Sequence, residues 1–70
     1  MMPLTMMSAG DEGTVQKITG NDETRQFLEN LGFVEGTQVS VISKISGNLI
    51  VNVRDSRIAI DRSMANRILV

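Results

Sequence analysis

The chain of 70 residues has a formal net charge of −1, with 41% hydrophobic and 21% charged residues, and it contains neither cysteine nor histidine. This length allows one small domain, residues 1–70, and this composition is typical of a folded chain rather than a disordered one. The missing residue types exclude disulfides, cysteine nucleophiles, Ser-His-Asp triads and imidazole metal ligands, which argues against a self-contained enzyme.

The first third of the chain predicts two short strands. An apolar segment over residues 4–7 precedes Gly10-Asp11-Glu12-Gly13, whose glycines and acidic residues favour a turn between strands. A second strand is predicted over residues 14–19, where β-branched residues predominate. Gly20 then ends this strand.

A short amphipathic helix is predicted next. Asn21 is a suitable N-cap, and Asp22 and Glu23 occupy the first turn, where the helix dipole favours acidic side chains. Gly32 stands where a left-handed residue ends a helix. A helix of about three turns persists only when docked, so its apolar stripe is predicted to pack into the core. The stripe consists of Thr24, Phe27, Leu28 and Leu31.

Alternating residues between positions 38 and 60 predict a three-stranded antiparallel meander. Ser46-Gly47-Asn48 suits a three-residue loop, which would pair Ile45 with Leu49 and set Val41 opposite Val53. In this register, hydrophobic residues of one strand lie opposite hydrophobic residues of the next.

The second loop of the meander is predicted at Asp55-Ser56. It would make Arg54 and Arg57 cross-strand neighbours and place Val53 opposite Ile58. Both loops then place the alternate apolar residues of all three strands on one inner face. This agreement is expected when core burial fixes the register.

The chain ends in a predicted helical turn over residues 61–65, capped by Asp61, and a last strand over 67–70. The predicted fold is therefore mainly β. It is a small SH3-like β-barrel of about five strands with one short α-helix and a C-terminal helical turn, since an open sheet of this size would leave edges prone to aggregation.

The segment from Leu31 to Val41, LGFVEGTQVSV, resembles the helix-to-strand signature of the FeoA family, small cytoplasmic accessory proteins of bacterial ferrous iron uptake. The family commonly has a proline where this chain has Glu35, but glutamate can also enter a turn before Gly36. The resemblance covers essentially the whole chain. Similar residues occur at Leu4, Gly10, Gly13, Val15, Ile18-Thr19-Gly20, Arg25, Ile58-Ala59-Ile60, Met64-Ala65 and Ile68-Leu69-Val70.

The resemblance implies a protein partner, the FeoB-type ferrous iron transporter with its cytoplasmic GTP-binding domain. It implies neither an enzyme nor an iron carrier, and no cofactor is expected. No apolar run reaches the ~20 residues that span a bilayer, and the N-terminus lacks the basic segment of a signal peptide. A soluble cytoplasmic protein is therefore expected, which reaches the membrane only through the transporter; self-association stays open.

Five residues are the candidates for partner binding. Phe33 and Val34 follow the helix in a loop, where apolar side chains can be exposed, although a contact that closes the helix cap would also explain them. Arg25 is a candidate because the family has a similar residue there. Arg54 and Arg57 would form a basic pair that attracts an anion or an acidic surface, although a solvated rim balanced by Asp55 and Asp61 would also explain them.

Two other functions remain open. The chain has a charge of +3 over residues 36–70 (five basic, two acidic) against −4 over residues 1–35 (two basic, six acidic), so a nucleic-acid-binding barrel is conceivable. An isoelectric point near 5.1 and only two aromatic residues argue against it. A metal-responsive repressor-type SH3-like module is the second alternative. Adjacent acidic pairs such as Asp11-Glu12 do not define the convergent ligands of a cation site, so no metal is expected.

Overall fold

Six short strands form two antiparallel sheets around one apolar core. The computed structural model describes all residues from 1 to 70. One sheet has the order β1-β3-β4-β5 and the other pairs β2 with β6. The mainly β class is confirmed, with six strands instead of about five. The elements are a 3-10 turn Leu4–Met6, β1 Glu12–Thr14, β2 Lys17–Ile18, α1 Asp22–Leu31, β3 Gln38–Ile45, β4 Asn48–Val53, β5 Ser56–Ile60, α2 Arg62–Ala65 and β6 Ile68–Leu69.

Fourteen buried apolar residues form a single cluster, and no polar or charged side chain is buried. The sheets supply most of the cluster, while Leu28 enters it from α1 and Ala65 from α2. Burial of apolar area is therefore the main stabilising term of this small fold. The cluster consists of Leu4, Met7, Val15, Ile18, Leu28, Phe33, Val39, Val41, Leu49, Val51, Val53, Ile60, Ala65 and Ile68.

The helix α1 begins and ends where the sequence predicts. The Asn21 side chain accepts a hydrogen bond from the Thr24 N–H at 2.8 Å, and Gly32 has a φ of 114°. The stripe is narrower than predicted: Leu28 is buried, but Phe27 is 51% exposed. The prediction that Phe27 packs in the core is wrong, because successive helical residues are rotated by about 100°, and the face that meets the core carries Leu28 and the partly buried Leu31.

The loop between β3 and β4 is one residue shorter than predicted, because it ends at Gly47 instead of Asn48. Ser46 and Gly47, with φ of 51° and 86°, form a two-residue loop, and Ile45 pairs with Asn48. A bulge between Val41 and Ser43 then shifts the register. The predicted pairing of Ile45 with Leu49 is wrong, and Ile45 is 60% exposed on the outer face.

The loop between β4 and β5 lies one residue earlier in the chain than predicted. Its loop is Arg54-Asp55, with φ of 50° and 64°, so Arg57 pairs with Asn52. The predicted cross-strand pairing of Arg54 with Arg57 is wrong. Positive φ at both central residues is the geometry of the type I′ turn, whose twist matches that of the flanking strands.

The N-terminal strands differ most from the prediction. Residues 4–6 form a 3-10 turn instead of a strand, and the predicted strand over 14–19 is divided between β1 and β2, which belong to different sheets. The buried Val15 lies at the change of direction between them. The C-terminal helical turn is confirmed, since the Asp61 carboxylate accepts from the Met64 N–H at 2.8 Å.

Candidate functional site

A cleft of about 560 Å³ lies between β2, α1 and the loop that follows α1. It brings together three of the five residues predicted to contact a partner, Arg25, Phe33 and Val34. The strand β2 forms the opposite wall, which no local sequence pattern indicates. The full lining is Lys17, Ile18, Thr19, Gly20, Arg25, Glu29, Phe33, Val34 and Glu35.

Four exposed charges surround this cleft, two of each sign. Arg25 and Glu29 are four residues apart on α1 and therefore share one face of the helix, while Lys17 comes from β2 and Glu35 from the loop. Each side chain is solvated at its rim position. The cleft can thus offer both hydrogen-bond donors and carboxylate acceptors to a ligand.

The guanidinium of Arg25 is only weakly engaged within the chain. Its single ion pair joins Nη1 to the Asp22 carboxylate at 3.8 Å, and the two side chains are 51% and 99% exposed. Exposed pairs of this kind contribute little to stability. The guanidinium is therefore available to a carboxylate from a partner.

Phe33 is fully buried, so of the two interpretations of this residue the contact that closes the helix cap is the observed one, and the exposed side chain is not. The reason is the helix cap. The Gly32 N–H donates to the Glu29 carbonyl at 2.9 Å and the Phe33 N–H donates to the Leu28 carbonyl at 3.0 Å, which is the Schellman pattern. That cap turns Phe33 inward to join Leu28 in the core, and the phenyl ring borders the cleft from beneath.

Val34 is the residue after Phe33, and it is half-buried. Its N–H donates to the Gly32 carbonyl at 3.0 Å and its carbonyl accepts from the Thr37 N–H at 3.0 Å. The loop is therefore held at both sides of Val34. Val34 and Ile18 supply the cleft with apolar surface.

Arg54 lies outside this cleft, at the C-terminal end of α1. A β-carbon on Gly32 would be 3.5 Å from the Arg54 Cδ, so the arginine stem covers the helix end. A cation beside the carbonyl end of a helix is favourable. Arg54 also lines a second, entirely polar depression with Glu12, Gln38, Asn52 and others.

Arg57 is exposed at the edge strand β5 and lines neither depression. The two arginines expected to form one basic pair are thus separated by the turn.

Sequence reasoning missed Lys17, Glu29 and Glu35 as part of the cleft. The four-residue spacing of Arg25 and Glu29 was a usable signal, because it places both on one helical face. Nothing local indicated that Lys17 faces them, since that depends on the pairing of β2 with β6 at the opposite end of the chain.

Nowhere do three or more acidic side chains converge closely enough to hold a metal ion. Both helices are too short to cross a bilayer, and neither supplies an apolar segment of the necessary length.

Comparison with known proteins gives a consistent result. The sequence model of the FeoA domain matches residues 2–70. A candidate Fe(2+) transport protein A from Methanocaldococcus jannaschii is 34% identical over 70 residues, which is 100% of this chain and 85% of that protein.

Solved structures extend the comparison to the fold. The crystal structure of an iron uptake regulatory protein, FeoA, has a TM-score of 0.88 at 34% identity, over 96% of this chain and 89% of that one. The zinc complex of Stenotrophomonas maltophilia FeoA has a TM-score of 0.85 at 28% identity, over 99% and 88% of the two chains. That protein is described as a procaryotic SH3 domain protein and a candidate activating factor of ferrous iron transport. The SH3-like fold predicted from the sequence is thereby confirmed.

Proposed function

The chain belongs to the FeoA family, and from this premise we propose that it is a cytoplasmic accessory protein of ferrous iron uptake that regulates an FeoB-type transporter by binding it. Residues 1–70 act as one FeoA-like domain, and their contact is with the GTP-binding domain or the membrane part of the transporter. The protein acts by binding rather than by catalysis, without a cofactor. Ferrous iron is the cargo of the transporter.

The observation that carries this proposal is the cleft between β2, α1 and the following loop. Its apolar surface from Ile18 and Val34 lies inside a rim of charged side chains. Protein interfaces are built in this way, with an apolar centre that a partner side chain fills and a polar rim. The cleft has the size for one or a few side chains of a partner, not for a whole domain, so it anchors a larger contact.

The charges of the rim favour a protein partner over a nucleic acid. A phosphate that approached Lys17 and Arg25 would also meet the carboxylates of Glu29 and Glu35. A protein surface carries both signs and can satisfy both pairs. Binding to RNA or single-stranded DNA would instead require a steep dependence on salt, which a titration measures directly.

The other candidate residues take different roles in this proposal. Phe33 supports the cleft from the core and does not touch the partner. Arg54 extends the contact around the end of α1, and its left-handed φ of 50° supports a role for its charge, because asparagine or glycine is the less strained choice there. Arg57 contributes only long-range attraction to an acidic partner.

A backbone NMR titration tests the proposal. The isotope-labelled chain is titrated with the soluble GTP-binding domain of an FeoB-type transporter, in parallel with GDP and with a non-hydrolysable GTP analogue. We expect saturable shifts centred on Lys17, Arg25 and Val34. Shifts in only one nucleotide state would add the nucleotide as the regulator of the contact.

Matched variants separate the cleft from the rest of the surface. Arg25→Glu or Val34→Asp is expected to weaken binding about tenfold or more. Arg62→Glu carries the same change of charge at the β3–β4 hairpin, where its stem lies 3.4 Å from the β-carbon position of Gly47, and should leave binding unchanged. Equal losses for Arg25→Glu and Arg62→Glu would refute the cleft as the contact, and no shift with either the soluble domain or the whole transporter would refute the partner.

A further inference from the structure

The outer edge of β5 carries backbone groups without partners. This strand is the last of its sheet and pairs only with β4. Val53 and Ser56 flank the two-residue loop and therefore exchange both hydrogen bonds, and the ladder continues without a register shift. The N–H and C=O groups of Arg57 and Ala59 consequently point away from β4.

This edge is short and carries one charged side chain, Arg57, but it lacks the other protections that monomeric proteins usually give their edge strands. It contains no proline and no bulge, and Arg57 and Ala59 are exposed. The small side chain of Ala59 permits close approach of another strand. The opposite edge of the sheet is different, because a β-carbon on Gly13 would lie 3.3 Å from both Met7 and Val70.

We propose that a second copy of this chain pairs with β5, antiparallel and about a twofold axis at Ala59. In this arrangement each Arg57 lies opposite Asp61 of the second copy. Asp61 directly follows β5 with an extended φ of −81° and ψ of 169°, and its carbonyl accepts the Ala65 N–H of α2 at 2.9 Å, so it contributes its charge to the contact rather than a further backbone pair. The two Arg57 and Asp61 pairs attract, and the two Ala59 residues exchange both backbone hydrogen bonds.

Charge selects this register among the neighbouring ones. An axis at Arg57 would set two arginines against each other, and an axis at Ile58 would set Arg57 opposite Ala59, with no charge pair. Like charges directly opposite are destabilising. The opposite charges of Arg57 and Asp61 face each other when β5 of one copy pairs with β5 of another. This charge complementarity identifies the occupant of the edge as a second copy rather than an unrelated strand.

Burial also favours the axis at Ala59. Ile58 is only half-buried although it points at the core face, and this register sets it opposite Ile60 of the second copy. An axis at Ile60 would extend the pairing into α2, which begins at Arg62. The pairing is therefore limited to residues 57–61, and the dimer is expected to be weak and visible at high protein concentration.

Amide hydrogen exchange at several protein concentrations tests the dimer and its location together. The amides of Arg57 and Ala59 have no partner in the single chain, whereas those of Ile58 and Ile60 bond to β4. Raising the concentration should slow exchange at Ala59, whose N–H bonds to the second copy, and leave Ile58 and Ile60 unchanged, in parallel with dimer formation measured by sedimentation equilibrium.

A charge exchange tests the register. Arg57→Glu replaces two attractive pairs with two repulsive ones and should weaken self-association roughly thirtyfold. Asp61→Arg should do the same alone, while a mixture of the two variants restores both pairs and forms the heterodimer. Arg67→Glu, which lies beside Gly20, is the charge-matched control and should dimerise normally.

Asp61 also caps α2, so Ala59→Pro provides a second variant that keeps this cap. It removes an outward N–H and should abolish dimerisation in a folded chain. A chain that stays monomeric at millimolar concentration would overturn the proposal. So would a dimer whose Ala59 amide remains unprotected, or one that Ala59→Pro leaves intact.

Discussion

Replacing Phe33 with alanine is expected to unfold most of the protein. The side chain is fully buried in the core cluster, and truncating such a phenylalanine costs about 3–5 kcal/mol. A core of this size supplies about 3–5 kcal/mol of net stability, so the loss is as large as the whole. Urea denaturation followed by circular dichroism should therefore show no cooperative transition for Phe33→Ala. Phe33→Leu keeps most of the volume and should remain folded, with a loss of about 1–2 kcal/mol.

The only other phenylalanine provides the matched control. Phe27 is 51% exposed, and full burial of a phenylalanine is worth about 1.5–3 kcal/mol, so Phe27→Ala should lose about 1 kcal/mol or less. The reasoning would be refuted by equal losses for the two alanine variants. It would also fail if Phe33→Ala kept an unfolding free energy within about 1 kcal/mol of the unsubstituted chain.

Two turn residues give further predictions, both measured by urea denaturation. Gly32→Ala places a β-carbon at a φ of 114° and should destabilise the fold by about 1–2 kcal/mol; an unchanged midpoint would contradict the Schellman cap as described. Ser46→Asn should raise the midpoint, because asparagine adopts the φ of 51° before Gly47 more readily than serine; a lower midpoint would argue against the two-residue loop.

The helices could be predicted closely because their signals are local. Asn21 and Asp61 each satisfy the N–H three residues on, and Gly32 supplies the left-handed residue that ends α1. These interactions depend on side-chain and backbone chemistry within one turn of chain. A sequence pattern contains all of that information.

The strand registers could not be predicted in the same way. Val41 and Ile42 are both apolar, so the alternation does not reveal the bulge that lies between Val41 and Ser43. Without the bulge, Ile45 is counted as a core residue, whereas it is exposed. The composition of the cleft was missed for a related reason, because Lys17 reaches it through pairing with the far end of the chain.

The sequence left two interpretations of Phe33 open, exposure in a loop or a contact that closes the helix cap. Its position just after a helix suggested a loop, and loop side chains are commonly exposed. The Schellman cap reverses that expectation, since it brings the second residue after the helix back against the helix's own last turn. In the proposed contact with a partner, Val34 and the charged rim therefore take the place of the aromatic ring.

The error in the second hairpin matters more, because it determines what β5 offers to a partner. A loop at Asp55-Ser56 would have made Arg54 and Arg57 a hydrogen-bonded pair, and Ala59 would then have pointed its N–H and C=O at β4. The loop at Arg54-Asp55 keeps Ile58 and Ile60 on the core face but reverses the hydrogen bonding, so Arg57 and Ala59 turn outward. The positive φ of two loop residues thus decides which residues have unpaired N–H and C=O groups at the free edge: Arg57 and Ala59, or the bulkier Ile58 and Ile60. In the proposed dimer, the outward backbone groups of Ala59 allow two copies to approach closely with Arg57 of each copy opposite Asp61 of the other.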